Sequence, residues 1–429
     1  MLGVIGVPVP EPARVLLCCE AGGGRGHETT LATVARALSP ETPRQAILPR
    51  LTHAGILEPL CDRVDRGPHL SRLAQPPRVS GLSWANWLLM RGFADPETLK
   101  MRFNWWCESL RAIKPGLVVA DFAPTALMAA RALGVPTIET GAAFGLPPSS
   151  LPHFPDLLTP EQATAHGTKL KDAPRPDEAE ICDVINQTLG PFGLPQLEAL
   201  PQIYAADLAL PRGIDLWDPY AQWRARPLLM PIESLPPLKH GEGTEIFVYL
   251  QPDALAAPDI CEALRRLPFA ARLVTSGPSE DSLQIIATNP SLVIEPAPLS
   301  YDQIVARSRL ILCAGQAGTL GLAVLAGIPV LALPIEHEQM SNAVRAAGQL
   351  ESCRSIPKTQ RSADSIMDTI SEMCTQSELA EVAQAHAKNL RRQYEESALE
   401  SYRRLLSPFL GGTQYGFLNS SQQTYDFRW

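Results

Sequence analysis

At 429 residues with 45% hydrophobic content, the chain is longer than one core usually organises, so two domains are expected. A formal net charge of -8 and a pI near 5.6 supply no broad basic field, and no Lys/Arg-rich block runs along the chain, which argues against nucleic acid as a partner. The 41 Pro are about twice the usual share of roughly 5%; they gather at Pro147-Pro148, Pro174-Arg175-Pro176 and Pro236-Pro237, marking long ordered loops and a linker rather than repeats or low-complexity tracts.

Arg14 to Cys19 is a short apolar run that predicts a buried strand. It ends in a glycine turn from Gly22 to Gly26, followed by His27 and a helical pattern from Glu28 to Leu38. The region Trp84 to Ile113 reads as helical and carries Trp84, Trp87, Trp105 and Trp106, either as large core side chains or as the wall of a binding site. Leu117 to Asp121 predicts a strand, Pro124 to Leu133 a helix, and Val135 to Glu139 a strand that closes the unit. Such alternation predicts a doubly wound parallel sheet.

A second series begins after the Pro-rich stretch Pro227 to Pro237. Strands are expected at Glu245 to Leu250, Arg272 to Thr275, Leu292 to Glu295, Leu310 to Cys313 and Pro329 to Leu333, with helical segments between them. From Ser377 the pattern is one long polar helix to about Leu406, and residues 411–429 read as loosely structured or docked. The fold class is α/β with two Rossmann-like parallel-sheet domains, divided as 1–227, a linker 228–244, 245–377, and a terminal segment 378–429.

Two segments carry chemistry. In the first, the strand ending at Cys313 delivers the chain into Ala314, Gly315, Gln316, Ala317, Gly318 and Thr319, where a helix begins. Small residues let backbone amides approach an anion, and the helix dipole favours a diphosphate there. Gly327-Ile328-Pro329, a buried strand and Pro334 follow; Glu338 and Gln339 then start a helix with Asn342 one turn on. Adjacent acceptor groups at a strand's carboxyl end suit sugar hydroxyls, the alternative being a helix cap. In the second segment, the register from Gly22 puts His27 where a dinucleotide-binding GxGxxG needs its third glycine, so that reading fails.

Gly315, Gly318, Thr319, Gly327, Pro329, Pro334, Glu338, Gln339, Asn342 and Ala343 resemble, in order and spacing, the donor signature of the UDP-glycosyltransferase superfamily, and more distantly the peptidoglycan N-acetylglucosaminyltransferase. The resemblance implies a GT-B fold: an N-terminal acceptor domain and a C-terminal nucleotide-sugar domain facing a cleft, with the terminal helix crossing back onto the first. It places the donor on Gly315, Gln316, Ala317, Gly318, Thr319, Glu338, Gln339 and Asn342, with Pro298 and Leu299 in the layout before the signature. Gly26-His27 resembles the same family's G-H, which makes His27 the general base and Asp121 its partner. Imidazole chemistry agrees, since it accepts a proton near neutral pH. Two positions depart from the pattern: Ala314 stands where the family has a phosphate-contacting His, and Leu322 where it has a ribose-binding Glu. A dTDP-sugar is therefore a second candidate donor beside the favoured UDP-sugar.

The sequence has no D-x-D motif and no His/Cys/carboxylate grouping with metal-ligand spacing, so neither metal nor cofactor is expected. The paired Glu of retaining GT-B enzymes is missing, which favours inversion. Nine irregularly placed Cys read as reduced thiols, and no window reaches the roughly 18 apolar residues of a span, so a cytoplasmic protein without a membrane span is expected, peripheral membrane contact being left open. The expected function is metal-independent, inverting transfer of a sugar from a nucleotide sugar to an unidentified acceptor. The alternatives are a nucleotide-sugar-binding protein without transfer activity and a GT-B-fold epimerase.

Overall fold

The computed structural model describes residues 13–22, 24–77, 82–167, 174–241, 243–275 and 280–410. The tail 411–429 and the first 12 residues lie outside them. The first sheet contains β1 (Val15–Cys19), β2 (Arg44–Leu48), β3 (Arg63–Arg66), β4 (Leu117–Asp121), β5 (Thr137–Ala142) and β6 (Leu208–Arg212), in the order β3-β2-β1-β4-β5-β6. All its pairings are parallel. The chain winds outward from β1 in one direction and from β4 in the other, so the loops leaving β1 and β4 diverge and open a crevice at the carboxyl edge. Val15, Leu16 and Leu17 are fully buried, each contributing roughly 1.5–3 kcal/mol of apolar burial.

The second sheet repeats this plan with β7 (Glu245–Tyr249), β8 (Ala271–Val274), β9 (Leu292–Ile294), β10 (Ser308–Cys313), β11 (Val330–Ala332) and β12 (Cys353–Ser355), in the order β12-β11-β10-β7-β8-β9. Its reversal falls between β7 and β10, which puts Gln251 and the loop Ala314–Gln316 at the crevice.

Apart from the unexpected β12, the differences from the expected elements have local causes. The helical region Trp84 to Ile113 is two helices, Trp84–Met90 and Pro96–Ile113, because Gly92 takes φ 80° and the Asp95 side chain caps the second helix through the Thr98 amide. The terminal helix also divides, into Ser377–Leu390 and Ala398–Leu406, the latter begun by a reciprocal cap between Ser397 and Glu400. The first sheet does not close at β5: β6 continues it, with Pro211 inside an edge strand. β2 and β3 lie between the first helix and Trp84 and carry Arg at their ends; the Arg44 guanidinium is buried because it donates to the carbonyls of Ala35, Ser39, Pro40 and Thr42.

The two sheets share an apolar cluster in which Met230 and Ile232, from the segment between β6 and β7, meet residues of both domains. Glu233 ties this segment to the helix Gly26–Ala37 through Arg36 at 2.9 Å. The helix Ala398–Leu406 lies on that same helix, and its buried Tyr402 hydroxyl sits 2.5 Å from Thr140 Oγ1, beside the strand that carries Asp121.

Candidate active site

His27 occupies the first turn of the helix Gly26–Ala37, directly after the loop leaving β1, and Asp121 is the last residue of β4. Neighbouring strands bring the two loops together across the first sheet's reversal, and His27 Nδ1 lies 2.9 Å from Asp121 Oδ1. A carboxylate only accepts, so this bond places the imidazole proton on Nδ1 and leaves the Nε2 lone pair for another partner. Asp121 is buried, while a quarter of the His27 side chain is open to solvent. Burial opposes the imidazolium, but the neighbouring Cys19 and Asp121 outweigh it, and the His27 pKa lies well above its ordinary value.

Glycines make the room for this pair. Gly22 has φ 114°, and a Cβ there would lie 2.3 Å from His27 Cδ2; Gly141 has φ 128°, and its Cβ would lie 2.2 Å from Asp121 Oδ1. Phe122, with φ 55°, turns the chain sharply after Asp121 and stacks its ring on His27 at 5.7 Å. Trp84 and Trp87 stack on each other at 4.9 Å and both meet Phe122 edge-on. Trp84 and Trp106 are core residues, whereas Trp87 is half-buried and belongs to the wall beside the dyad. Behind the wall, the buried Glu20 carboxyl accepts from Trp106 Nε1 and the Thr125 amide, and burial pushes it up to about 7 against those bonds.

The opposite wall is the loop after β10 and the helices Ala317–Ala326 and His337–Gln349. Gly315 has φ 95°, and a Cβ there would lie 2.8 Å from the Gln339 carbonyl, so only glycine fits the turn. Asn342 Nδ2 holds that turn by donating to the Gly315 carbonyl at 3.2 Å. Gln316 Oε1 accepts from the Ala314 amide, while its buried Nε2 and the buried Thr319 Oγ1 have no hydrogen-bond partner. Unsatisfied buried polar atoms at a helix start are groups that a ligand can satisfy.

Gln339 divides its roles. Its Oε1 accepts from the Ile335 and Glu336 amides, capping its own helix, so the cap reading applies to that oxygen. Glu338 is half-buried at the start of its helix; burial pushes its pKa up against the pull of His27, with the Ala317 amide also favouring the carboxylate. Leu299 packs into the apolar core with Phe247 and Ile304, and Pro298 is half-buried; neither is brought to the dyad. Ala314 and Leu322 are fully enclosed in apolar clusters. A Cβ on Gly24 would lie 3.4 Å from Gln251 Nε2, and the Arg25 charge acts on Tyr249, so the glycine turn approaches the far wall.

Among the described residues, no group of three or more His, Cys, Asp or Glu is placed to hold a metal ion, and no helix is long and apolar enough to cross a membrane. All nine Cys are free.

Two parallel six-stranded sheets with their carboxyl edges meeting at a cleft define the GT-B fold. Solved structures of this fold match the chain almost end to end. The calicheamicin glycosyltransferase superposes with a TM-score of 0.63 at 15% identity, covering 94% of this chain and 99% of that one. The glycosyltransferase VinC in complex with dTDP gives 0.62 at 15% identity, with 93% and 100% covered. A UDP-glucosyltransferase from Polygonum tinctorium gives 0.58 at 15% identity, with 94% and 100% covered. Neither a protein-family model nor a curated protein sequence matches.

Proposed function

We propose that this chain is an inverting, metal-independent glycosyltransferase that moves a sugar from a nucleoside-diphosphate sugar, UDP-linked in the first instance and dTDP-linked as the second candidate, to an acceptor hydroxyl. The observation that carries the reading is the His27–Asp121 pair on one wall of the cleft, facing Glu338 and the glycine loop on the other. His27 Nε2 takes the acceptor proton as the oxygen attacks the anomeric carbon; the glycosidic bond to the leaving phosphate breaks on the opposite face, and Asp121 stabilises the imidazolium that forms. The amides of residues 315–319, the Thr319 hydroxyl and the helix dipole take the diphosphate charge as it develops. Glu338 and the Nε2 of Gln339 hold sugar hydroxyls. The nine free thiols support a cytoplasmic setting.

The dyad favours this reading over a binding protein without transfer activity, because binding alone has no use for an oriented base. Thermal-shift and calorimetric measurements with UDP-, dTDP- and GDP-sugars test the donor site, and His27→Ala is the inactive control in the acceptor assay that follows. One nucleotide sugar should bind, and Glu338→Ala should weaken it. No response to any of them by a folded protein sinks the reading.

A further inference from the structure

The carboxyl edge of the first sheet gathers arginines: Leu48 registers with Arg66, and the Leu73 amide donates to the Met90 carbonyl at 2.9 Å, which brings the loop of Arg72 to Arg91. Arg50 follows β2, Arg66 ends β3, Arg72 lies in the loop beyond it, and Arg91 terminates the helix Trp84–Met90. Arg102 lies beneath them, buried, and its Nη1 donates to the Arg91 carbonyl at 2.6 Å. The half-buried His69 lies in the same loop, with Nδ1 2.8 Å from Ser71 Oγ. Burial, then Arg50, Arg91, Arg102 and Arg66, hold this imidazole below its ordinary range, and Arg72 acts on Arg91 in the same sense.

Glu20 and Asp95 act on Arg102, but the outer arginines are short of counter-charge. Among the described residues none of Arg50, Arg66, Arg72 and Arg91 forms an ion pair, although the whole chain is acidic at -8. Glu336 acts on Arg91 from across the cleft without pairing with it, and Arg91 Nε is buried with no hydrogen-bond partner. Like charges held together destabilise the fold until an anion is supplied.

Geometry links the cluster to the base. The Arg91 guanidinium lies 3.8 Å above the Trp87 ring, Trp87 meets Phe122 edge-on at 4.9 Å, and Phe122 stacks on His27 at 5.7 Å. A packed aromatic chain therefore runs from His27 to Arg91, with Trp87 held between the Trp84 ring on one face and the Arg91 guanidinium on the other.

We propose that the acceptor is a small molecule with an anionic oxygen group, carboxylate or phosphate, bound with its hydroxyl at His27 and its anion on Arg91, Arg72 and Arg66. This rests on the transferase reading for the word acceptor, while the cationic site stands on its own geometry. Arginine suits the role because its planar donors match both anions in a two-point fashion.

The test uses the full chain and three probes: naphthol, hydroxynaphthoate and naphthyl phosphate, followed by tryptophan fluorescence and calorimetry at low and high salt. An anionic probe should bind about tenfold or more tightly than naphthol, a difference of roughly 1.4 kcal/mol, and high salt should shrink the gap. Arg72→Gln, at an exposed position, and Arg91→Gln should each remove most of the preference, and Arg91→Lys should keep part of it. The better of the two anions names the group on the acceptor. Equal binding of naphthol, a preference that survives both glutamine variants, or binding to anionic phosphatidylglycerol vesicles without binding of either anionic probe overturns the proposal. Nucleotide-sugar binding is followed separately: its absence with the anion preference intact removes the transferase reading and leaves the cationic site in place.

Discussion

Gly141 and Asp121 compete for one space: a Cβ on Gly141 would lie 2.2 Å from Asp121 Oδ1, so the absence of a side chain on β5 is what lets the β4 carboxylate reach His27. Replacing Gly141 with Ala is therefore expected to act on the dyad as well as on the backbone. At φ 128° the strain costs about 1–3 kcal/mol, and the displaced carboxylate should lower kcat by roughly 10²–10⁴-fold, as loss of Asp121 itself would. Gly134→Ala is the control. Its φ of 68° is also strained but its Cβ would meet nothing within 4 Å, so melting temperature should fall while kcat holds. Equal kcat losses in the two variants would show that the effect is general unfolding.

The His27 pKa lies above its ordinary value, and the sign of the pH dependence follows. A base works when neutral, so kcat/KM should rise with pH through a limb above about 6.5, and Asp121→Asn should move that limb downward by removing the charge that favours the imidazolium. Stability runs the other way. The contribution of the pair is fully present below the unfolded-state pKa and is lost as pH rises through the higher folded-state value. The melting-temperature gap between wild type and His27→Gln should thus narrow from pH 6 to pH 9.

Thr319 gives a test in which stability and affinity move in opposite directions. Its hydroxyl is buried, at 2% exposure, and unpartnered in the described structure. Thr319→Val removes an unsatisfied group at nearly constant shape, so the unliganded protein should be as stable or up to about 1–2 kcal/mol more stable. If the hydroxyl donates to the donor diphosphate, nucleotide affinity should drop about tenfold. A variant that loses stability and keeps affinity would remove Thr319 from the donor site.

The doubly wound fold was readable because β1, β4, β7 and β10 are buried on both faces and appear as unbroken apolar runs. β2, β3 and β12 escaped the pattern because each is short and broken by more than one polar residue, Arg44 and Gln45, Arg63 with Asp65 and Arg66, and Arg354 with Ser355, and β6 because it carries proline; only the assembled sheet shows why each is tolerated. The site divides in the same way. His27 and the glycine loop before Thr319 announce themselves locally, since a base beside a glycine turn and small residues at a helix start have a chemistry of their own. Gly141, Phe122, Arg91 and Gln251 carry no such signal. They acquire a role when separate loops converge at the two carboxyl edges, a relation set by strand order rather than by any short segment.

Glu338 and Gln339 are neighbours with different expected consequences. Gln339 Oε1 satisfies the Ile335 and Glu336 amides, so Gln339→Ala should cost about 0.5–2 kcal/mol of stability through the lost cap, whatever it does to the donor. The Glu338 carboxyl instead feels the charge of His27 across the cleft and the amide of Ala317. Glu338→Ala should leave the melting temperature nearly unchanged and raise the donor KM about tenfold, because a single hydrogen bond to a charged group is worth roughly 1.5–3 kcal/mol in a buried site. Both variants are best compared well below their melting temperatures, by titrating nucleotide sugar against nucleoside diphosphate alone. A residue that holds the sugar weakens the first and spares the second; equal weakening of both would assign Glu338 to the diphosphate loop instead.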